Sequence, residues 1–94
     1  MAFEVKHEKN LKRFALYDDG KEVGELTYTD RPNGVRSADH TIVLSSYSGQ
    51  GLAGKLFDAL VENAREEHIK ILPICAYVKG KFDADPEKYK DIRA

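Results

Sequence analysis

A glycine-rich segment, SGQGLAGKLF (residues 48–57), leads into an amphipathic helix and constrains the fold more than any other part of the chain. From Leu52 onwards, apolar residues recur every four positions and charged residues take the opposite side, which predicts a helix of about four turns. A glycine-rich turn at a helix start leaves backbone N–H groups unpaired, and the helix dipole adds partial positive charge. Such a turn suits a phosphate group. It could also serve only as a tight turn with close helix packing, so the glycines alone leave both interpretations open.

The residues before the glycines predict antiparallel strands. Apolar and polar side chains alternate through FEVKH and RFALYDD (residues 3–7 and 13–19), as in strands with one buried face. Asp19-Gly20 predicts a hairpin turn, and RPNG (residues 31–34) predicts another. The strand VRSADHTIVL (residues 35–44) then runs into the glycine-rich segment. We therefore expect an antiparallel meander upstream of the helix.

After the helix, ILPICAYV (residues 71–78) predicts one more strand. A strand–helix–strand unit requires a right-handed crossover, so this strand should pair in parallel with HTIVL (residues 40–44). Pro73 has no N–H group and should leave the ladder locally unpaired. On such a strand Cys75 and Tyr77 would share one face.

Asp85-Pro86-Glu87 predicts the start of a short closing helix. The predicted fold is therefore α+β, in one domain over residues 1–94. It consists of a mostly antiparallel sheet with one splayed parallel strand pair joined by a long helix, followed by a short C-terminal helix.

The composition argues against several classes of protein. Fifteen basic and sixteen acidic residues give a net charge of −1, so no overall field favours nucleic acid or an anionic membrane. The chain lacks both a membrane-length apolar run and a signal-peptide core, and we expect a cytoplasmic protein. The single Cys75 excludes an intramolecular disulfide. The scattered His7, His40 and His68, without an HExxH motif, predict no metal site.

Two other nucleotide-binding motifs match part of the glycine-rich segment. Residues 49–55 spell a P-loop, but the next residue is Leu56 rather than the Ser or Thr that holds magnesium. The same glycines spell the dinucleotide motif, which expects an acid at the end of the next strand. Glu66 and Glu67 have a suitable spacing but fall near the end of the helix. A loop that binds the pyrophosphate of an acyl-CoA requires only the strand, turn, helix and parallel strand already predicted, and it is favoured.

The segments HTIVLSSYSGQGLAGKLFDALVENA and ILPICAYV together resemble the acetyl-CoA-binding core of the GNAT N-acetyltransferase superfamily. They most resemble its small truncated members, which carry a cysteine in the last main strand. The resemblance extends over residues 39–92, through CAYVKGKF and DPEKYKDI. It implies a GNAT-like fold without the first two helices and acetyl-CoA as cosubstrate. The superfamily loop usually begins with Arg or Gln, whereas this one begins with Ser48, which should weaken acetyl-CoA binding without abolishing it.

The resemblance implies a cofactor site formed by the end of the strand, the loop and the residues after the last strand. Loop N–H groups would bind pyrophosphate, and unpaired strand groups would bind the pantetheine arm. Lys79 could reach phosphate or remain a solvated charge, and Phe82 could stack on adenine or pack in the core. The implied cofactor-binding residues are Leu44, Ser45, Ser48, Gly49, Gln50, Gly51, Leu52, Ala53, Gly54, Lys55, Lys79 and Phe82.

Three residues are candidates for catalysis. The resemblance implies that Cys75 is a candidate for an acetyl-cysteine intermediate, although lone cysteines are more often small buried residues. His40 could act as a base or orient Cys75, or could be an ordinary strand histidine. Tyr77 could protonate the departing thiolate, or serve as a core aromatic residue. The usual superfamily route is direct attack by the amine.

The predicted function is transfer of acetyl from acetyl-CoA to an amine. The few residues between the first two strands predict an open, shallow acceptor side, which suits a peptide, a polyamine or a small amine. We expect a monomer or weak dimer. The alternatives are a module that binds acetyl-CoA or CoA without efficient catalysis, and a cofactor-free α+β interaction domain.

Overall fold

The computed structural model describes residues 2–94 and contains a five-stranded sheet in the order β1-β2-β3-β4-β5. Strands β1 to β4 are antiparallel neighbours, and β5 pairs in parallel with β4. The elements in chain order are β1 (Phe3–Glu8), β2 (Arg13–Asp18), β3 (Lys21–Arg31), β4 (Val35–Val43), α1 (Leu52–Glu67), β5 (Lys70–Pro73), α2 (Ala76–Ala84) and α3 (Pro86–Tyr89). The α+β prediction, with one parallel pair joined by a long helix and a short final helix, is confirmed.

The connections between strands are short for identifiable reasons. Asp19 and Gly20 both have positive φ (49° and 87°), as do Asn33 and Gly34 (65° and 72°). Between β2 and β3 the two left-handed residues form a two-residue hairpin turn. Between β3 and β4 the connection has three residues, Pro32 to Gly34, because Arg31 pairs with Val35. Between β1 and β2 the chain makes a 3-10 turn, Lys9–Leu11, so the two strands are joined without an intervening α-helix.

The core lies between α1 and one face of the sheet. The apolar stripe of α1 is buried and consists of Leu52, Leu56, Phe57, Leu60, Val61 and Ala64. It packs with Phe14, Leu16 and Leu26 from the central strands. The helix ends at His68, whose left-handed backbone (φ 56°) directs its N–H back to Ala64 and Arg65, a common way to end a helix.

The opposite face of the sheet carries mainly polar and charged side chains. Arg13 on β2 forms ion pairs with Glu8, Glu22 and Glu25 at 2.7–2.8 Å. On the same face of β4, Ile42 remains 55% exposed. This face is therefore open to solvent beside β4.

The strand predicted for residues 71–78 is shorter than expected. It is correct as far as Pro73, but the prediction is wrong beyond that residue because α2 begins at Ala76. After Pro73 the N–H of Ile74 bonds back to Leu72, in a tight turn that ends the ladder. Val78 and Phe82, four residues apart, then form the buried side of a helix. The helical spacing could not be recognised within ILPICAYV, because that segment ends at Val78 and does not include Phe82.

The end of the chain covers the outer edge of β5. The N–H of Ile71 donates to the carbonyl of Ile92, and the N–H of Ala94 donates to the carbonyl of Ile71. Phe82 and Tyr89 pack against Phe57 of α1, with ring centroids 5.8 and 5.3 Å from it. Within residues 2–94, no helix has both the length and the apolar character needed to cross a membrane.

Candidate active site

The parallel pairing of β4 with β5 stops halfway along β4. Residues 35–38 pair with residues 70–73, so the prediction that residues 40–44 would form this pair is wrong. The last link is the N–H of Cys75 bonded to the carbonyl of Ala38 at 2.8 Å. Beyond this point β4 continues to Val43 while the other chain turns away into α2. The two chains therefore separate after Ala38 and leave one edge of β4 open.

The backbone groups on that open edge can be identified from the ladder. The N–H of Leu44 bonds to Val23 on the β3 side. Because the direction of backbone groups alternates along a strand, Ile42 also faces β3. The backbone groups of Thr41 and Val43 therefore face the open edge, where a peptide-like chain could pair with them.

A bulge in β4 lies at the branch. His40 pairs with Thr27, but Ala38 pairs with the adjacent Tyr28, so Asp39 is an extra residue on β4. Bulges bend a strand and redirect the side chains that follow. The bend thus coincides with the position where β4 and β5 separate.

The glycine-rich loop lies between the open edge of β4 and α1. Gly49 and Gly51 have positive φ (79° and 71°), a conformation that side chains disfavour. Gly51 precedes α1 and provides no side-chain cap. The N–H groups of residues 51–54 come before the first intrahelical bond, so they are available to a ligand at the positive end of the helix. This arrangement fits a phosphate group.

The loop and α2 enclose a cavity of about 280 Å³. Tyr77, from the first turn of α2, forms part of its wall, and its hydroxyl is 3.8 Å from where a Cβ on Gly54 would lie. The cavity is lined by Val43, Tyr47, Ser48, Gly49, Gly51, Leu52, Ala53, Gly54 and Tyr77. Burial raises the pKa of Tyr77, with a smaller contribution from Asp58. The phenol therefore stays protonated and can donate a hydrogen bond into the cavity.

Several residues predicted for the cofactor site lie at or next to this cavity. The hydroxyl of Ser48 donates to the carbonyl of Ser45 at 2.8 Å, so it closes the preceding 3-10 turn, Ser45–Tyr47. Leu44 is 43% exposed at the end of β4. The side chains of Gln50 and Lys55 are exposed, one in the loop and one in the first turn of α1.

Lys79 and Phe82 lie in α2 rather than after a strand. Lys79 is exposed and forms an ion pair with Asp83 at 2.7 Å. Phe82 is fully buried, and its ring packs against Phe57 and Tyr89. Its faces are thus covered in this structure, and we leave Phe82 out of the proposed site.

Cys75 lies at the branch point between β4 and β5. It is the residue before α2, is 8% exposed, and its Sγ is 3.5 Å from Thr41 Oγ1. Negative charge is favoured at a helix N-terminus. The position thus brings a thiol, a hydroxyl and a helix start to the first open residue of β4. Contrary to the sequence-based expectation, Cys75 and Tyr77 do not share a strand face, since neither belongs to a strand.

His40 points to the other side of β4. Its neighbour Thr41 contacts Cys75, and successive strand residues face opposite sides of a sheet. His40 is exposed and lies on the same face as Ile42. The structure therefore does not bring His40 to Cys75; it leaves His40 on the open face beside the branch.

Sequence reasoning missed two residues of the site, Thr41 and Tyr47. Thr41 lies on the same side of β4 as Val43, so a polar residue on an otherwise apolar face was a usable signal. Tyr47 precedes the glycines and lines the cavity; an aromatic residue beside a loop gives no comparable signal. Among residues 2–94, no group of three or more His, Cys, Asp or Glu is arranged to hold a metal ion.

A strand that separates from its parallel neighbour beside a glycine-rich helix start is the arrangement that the resemblance to acyl-CoA-dependent transferases led us to expect. Residues 13–92 match the family model described as GCN5-related N-acetyl-transferase. The chain belongs to this family and is therefore an N-acetyltransferase of the GNAT type. No curated protein sequence matches the chain.

Solved structures agree with this assignment. The chain is 32% identical to a GCN5-like candidate N-acetyltransferase from Staphylococcus aureus, with a TM-score of 0.74 over 97% of this chain and 87% of that one. It is 26% identical to a ribosomal-protein-alanine N-acetyltransferase from Brucella melitensis biovar Abortus 2308 (TM-score 0.63, 87% and 60% covered). A GNAT family acetyltransferase from Elizabethkingia anophelis with acetyl-CoA bound shares the fold (9% identity, TM-score 0.60, 77% and 63% covered). The chain thus spans less than two thirds of the last two proteins.

Proposed function

We propose that this chain transfers the acetyl group of acetyl-CoA to an amine. The observation that carries the proposal is the continuity between two features: the open edge of β4 and the loop cavity both include Val43. The N–H groups of residues 51–54 bind the pyrophosphate. The amide-containing pantetheine arm pairs with the backbone of Thr41 and Val43, as a further strand would.

The thioester then lies near the branch, beside Thr41 and Cys75. The N–H of Thr41 faces the open edge and can donate to the oxygen that becomes negative during transfer. Tyr77, protonated because burial raises its pKa, donates either to the pyrophosphate or to the departing thiolate. Both roles require only groups that already line the cavity or the open edge.

Two routes for the acetyl group remain distinct. In the direct route the amine nitrogen attacks the thioester carbonyl and forms the amide bond, and a base takes the proton from that nitrogen. The carbon–sulfur bond breaks, and CoA leaves as a thiolate that takes up a proton. His40 is the proposed base of this route, because it is exposed on the open face beside the branch. The acceptor amine approaches from that face.

In the second route Cys75 carries the acetyl group. Its thiolate attacks the thioester and forms acetyl-cysteine, and CoA leaves as a thiolate that takes up a proton. An amine then forms the amide, loses a proton and restores the thiolate. The contact of Cys75 with Thr41 at the branch supports this route, whereas its burial supports a structural role.

The cofactor proposal is tested by titrating the protein with acetyl-CoA while recording backbone amide NMR shifts. The amides of Gly49, Gly51 and Gly54 should move first. The amides of Gly20 and Gly34, in the two hairpin turns, serve as internal controls and should stay unchanged. If the loop amides do not move at millimolar acetyl-CoA, the chain does not bind this cofactor through the loop, and the cofactor-free alternative is supported.

The two routes are tested by intact-mass measurement after incubation with acetyl-CoA. A single acetyl adduct in the wild type that is absent from Cys75→Ala supports the acetyl-cysteine route. An adduct that persists in Cys75→Ala excludes Cys75 as its carrier. Unchanged release of CoA by Cys75→Ala, in the presence of an acceptor amine, supports direct attack.

The acceptor is proposed to be a peptide, a polyamine or a small amine, because the outer face beside β4 is open. CoA release measured over a panel of such amines identifies the class. A module that binds acetyl-CoA without efficient catalysis is the second candidate. It is favoured by Ser48, whose hydroxyl already donates to Ser45 within its own turn. Binding without CoA release for any amine would support that candidate.

A further inference from the structure

Tyr47 connects the glycine-rich loop to a distant part of the sheet. It is the last residue of the 3-10 turn between β4 and the loop. Its hydroxyl donates to Asp18 Oδ2 at 2.7 Å, at the end of β2. Its ring meets Phe3 of β1 edge to face, with centroids 6.2 Å apart. Tyr47 also lines the loop cavity, so one residue contacts both the sheet and the proposed cofactor site.

The loop has few other attachments. The N–H and the hydroxyl of Ser48 both donate to Ser45 within the same turn, and residues 48–51 are exposed. Among the described residues 2–94, Tyr47 is the only member of the 45–51 segment whose side chain forms a hydrogen bond with a residue outside that segment. This bond and the contact of the same ring with Phe3 therefore tie the start of the loop to the sheet.

Asp18 depends on Tyr47 in turn. The second oxygen of its carboxylate, Oδ1, is buried and has no hydrogen-bond partner among the described residues. The bond to the carboxylate raises the pKa of Tyr47, so the phenol remains a donor at neutral pH. Asp18 is half-buried with one oxygen fully buried, and removing the donor to its other oxygen costs free energy, so the bond ties the two residues together.

We propose that Tyr47 and Asp18 are positioning residues for acetyl-CoA. Their hydrogen bond fixes the start of the loop and so fixes the direction in which the N–H groups of residues 51–54 point. This inference rests on the proposed function, because it concerns the same loop. Neither residue needs to touch the acetyl group.

The test is Tyr47→Phe, which keeps the ring against Phe3 and removes the hydroxyl. The dissociation constant for acetyl-CoA should rise by up to about tenfold, the limit reached when the full free energy of the lost bond is needed to hold the loop in its binding conformation. The KM for acetyl-CoA should rise in proportion while kcat at saturating cofactor stays within about twofold. Amide hydrogen exchange should quicken at Tyr47 and Ser48, whose N–H groups are bonded to Leu44 and Ser45 at the start of the loop.

Tyr17→Phe is the matched control. The hydroxyl of Tyr17 also donates to a carboxylate, that of Glu8, but on the opposite face of the sheet. This variant should bind acetyl-CoA as the wild type does. If Tyr47→Phe also binds like the wild type, or if kcat falls as much as KM rises, the positioning role is refuted.

A double-mutant cycle with Asp18→Asn tests the pair itself. If the bond is the cause, Tyr47→Phe should weaken binding much less in the Asp18→Asn background than in the wild type. Full additivity would overturn the proposal. A wild-type protein that does not bind acetyl-CoA would instead refute the proposed function, so the two failures are distinguishable.

Discussion

Replacing Gly54 with alanine should stabilise the fold and weaken acetyl-CoA binding in the same variant. Gly54 is the third residue of α1, and a Cβ there would lie 3.8 Å from the hydroxyl of Tyr77, an ordinary contact distance. Alanine is favoured over glycine in helices by about 0.8–1 kcal/mol, and we expect about 0.5–1 kcal/mol in this first turn. For a chain of 94 residues this corresponds to a rise in Tm of roughly 2–8 °C.

The effect on binding has the opposite sign because the new methyl group projects toward Tyr77 in the wall of the loop cavity. A phosphate held by the N–H groups of residues 51–54 must approach the loop backbone closely, and the methyl group keeps it away. We expect a loss of about 1 kcal/mol in binding free energy, roughly a fivefold rise in Kd. Thermal unfolding followed by circular dichroism measures the first effect, and isothermal titration calorimetry with acetyl-CoA measures the second.

Gly80→Ala provides the matched control. Gly80 lies inside α2, is exposed, and a Cβ there would meet nothing within 4 Å. This variant should gain about 1 kcal/mol of stability and bind acetyl-CoA unchanged. Equal affinity of Gly54→Ala and the wild type would refute the assignment of the cavity to the pyrophosphate. A lower Tm for Gly54→Ala would refute the claim that the helix start has room for a side chain.

Three further predictions concern the fold. Arg36→Met should cost about 2 kcal/mol in the free energy of unfolding, measured in urea, because the buried guanidinium stacks 4.1 Å above the Tyr28 ring and donates to Asn63 at 2.7 Å. The pKa of His7 is lowered, chiefly by burial, so the unfolded chain takes up a proton at a higher pH than the folded protein does. The free energy of unfolding should therefore fall as the pH drops from about 6.5, the usual pKa of histidine, toward the folded-state pKa. An NMR titration that places the folded-state pKa at or above about 6.5 would contradict this. Thr27→Val should raise the free energy of unfolding by about 1 kcal/mol, since the buried hydroxyl of Thr27 has no hydrogen-bond partner among residues 2–94. A lower urea midpoint for this variant would show that the hydroxyl does not destabilise the fold.

The parts of the fold that were predictable are those whose signals are local. Asp19-Gly20 and Asn33-Gly34 adopt paired left-handed conformations that few other residue pairs tolerate, so both turns can be predicted from the sequence. The stripe of α1 repeats over several turns and matches the helical period. Neither feature depends on what packs against it from elsewhere in the chain.

The segment after Pro73 could not be assigned locally, because its structure is decided by tertiary packing. Its apolar alternation suits a strand, yet Ile74 is 56% exposed and Phe82 is fully buried. Phe57 of α1 forms the surface that receives Phe82 and Tyr89, and that surface exists only after the helix has packed on the sheet. A short window of sequence contains no information about it.

In the candidate site too, the features that are local in sequence were predictable and those that depend on tertiary packing were not. The loop was predictable because its glycines and its helix are contiguous in sequence. The contact of Thr41 with Cys75 was not, since it joins residues 34 positions apart and depends on where β4 and β5 separate. The bond between Tyr47 and Asp18 joins residues 29 positions apart and likewise required the folded sheet.

The early end of β5 bears directly on how the proposed site would hold acetyl-CoA. If the strand continued past Pro73, both walls of the gap would present backbone groups to the pantetheine arm. Here the second wall is the start of α2, which contributes the N-terminal end of a helix, Cys75 and Tyr77 instead. Strand-like pairing is then possible with β4 alone, through Thr41 and Val43. Because one-sided pairing offers fewer hydrogen bonds, a larger share of the affinity must come from the loop and its N–H groups. Binding should therefore be more sensitive to changes at Gly49, Gly51 and Tyr47 than to changes along the open edge of β4.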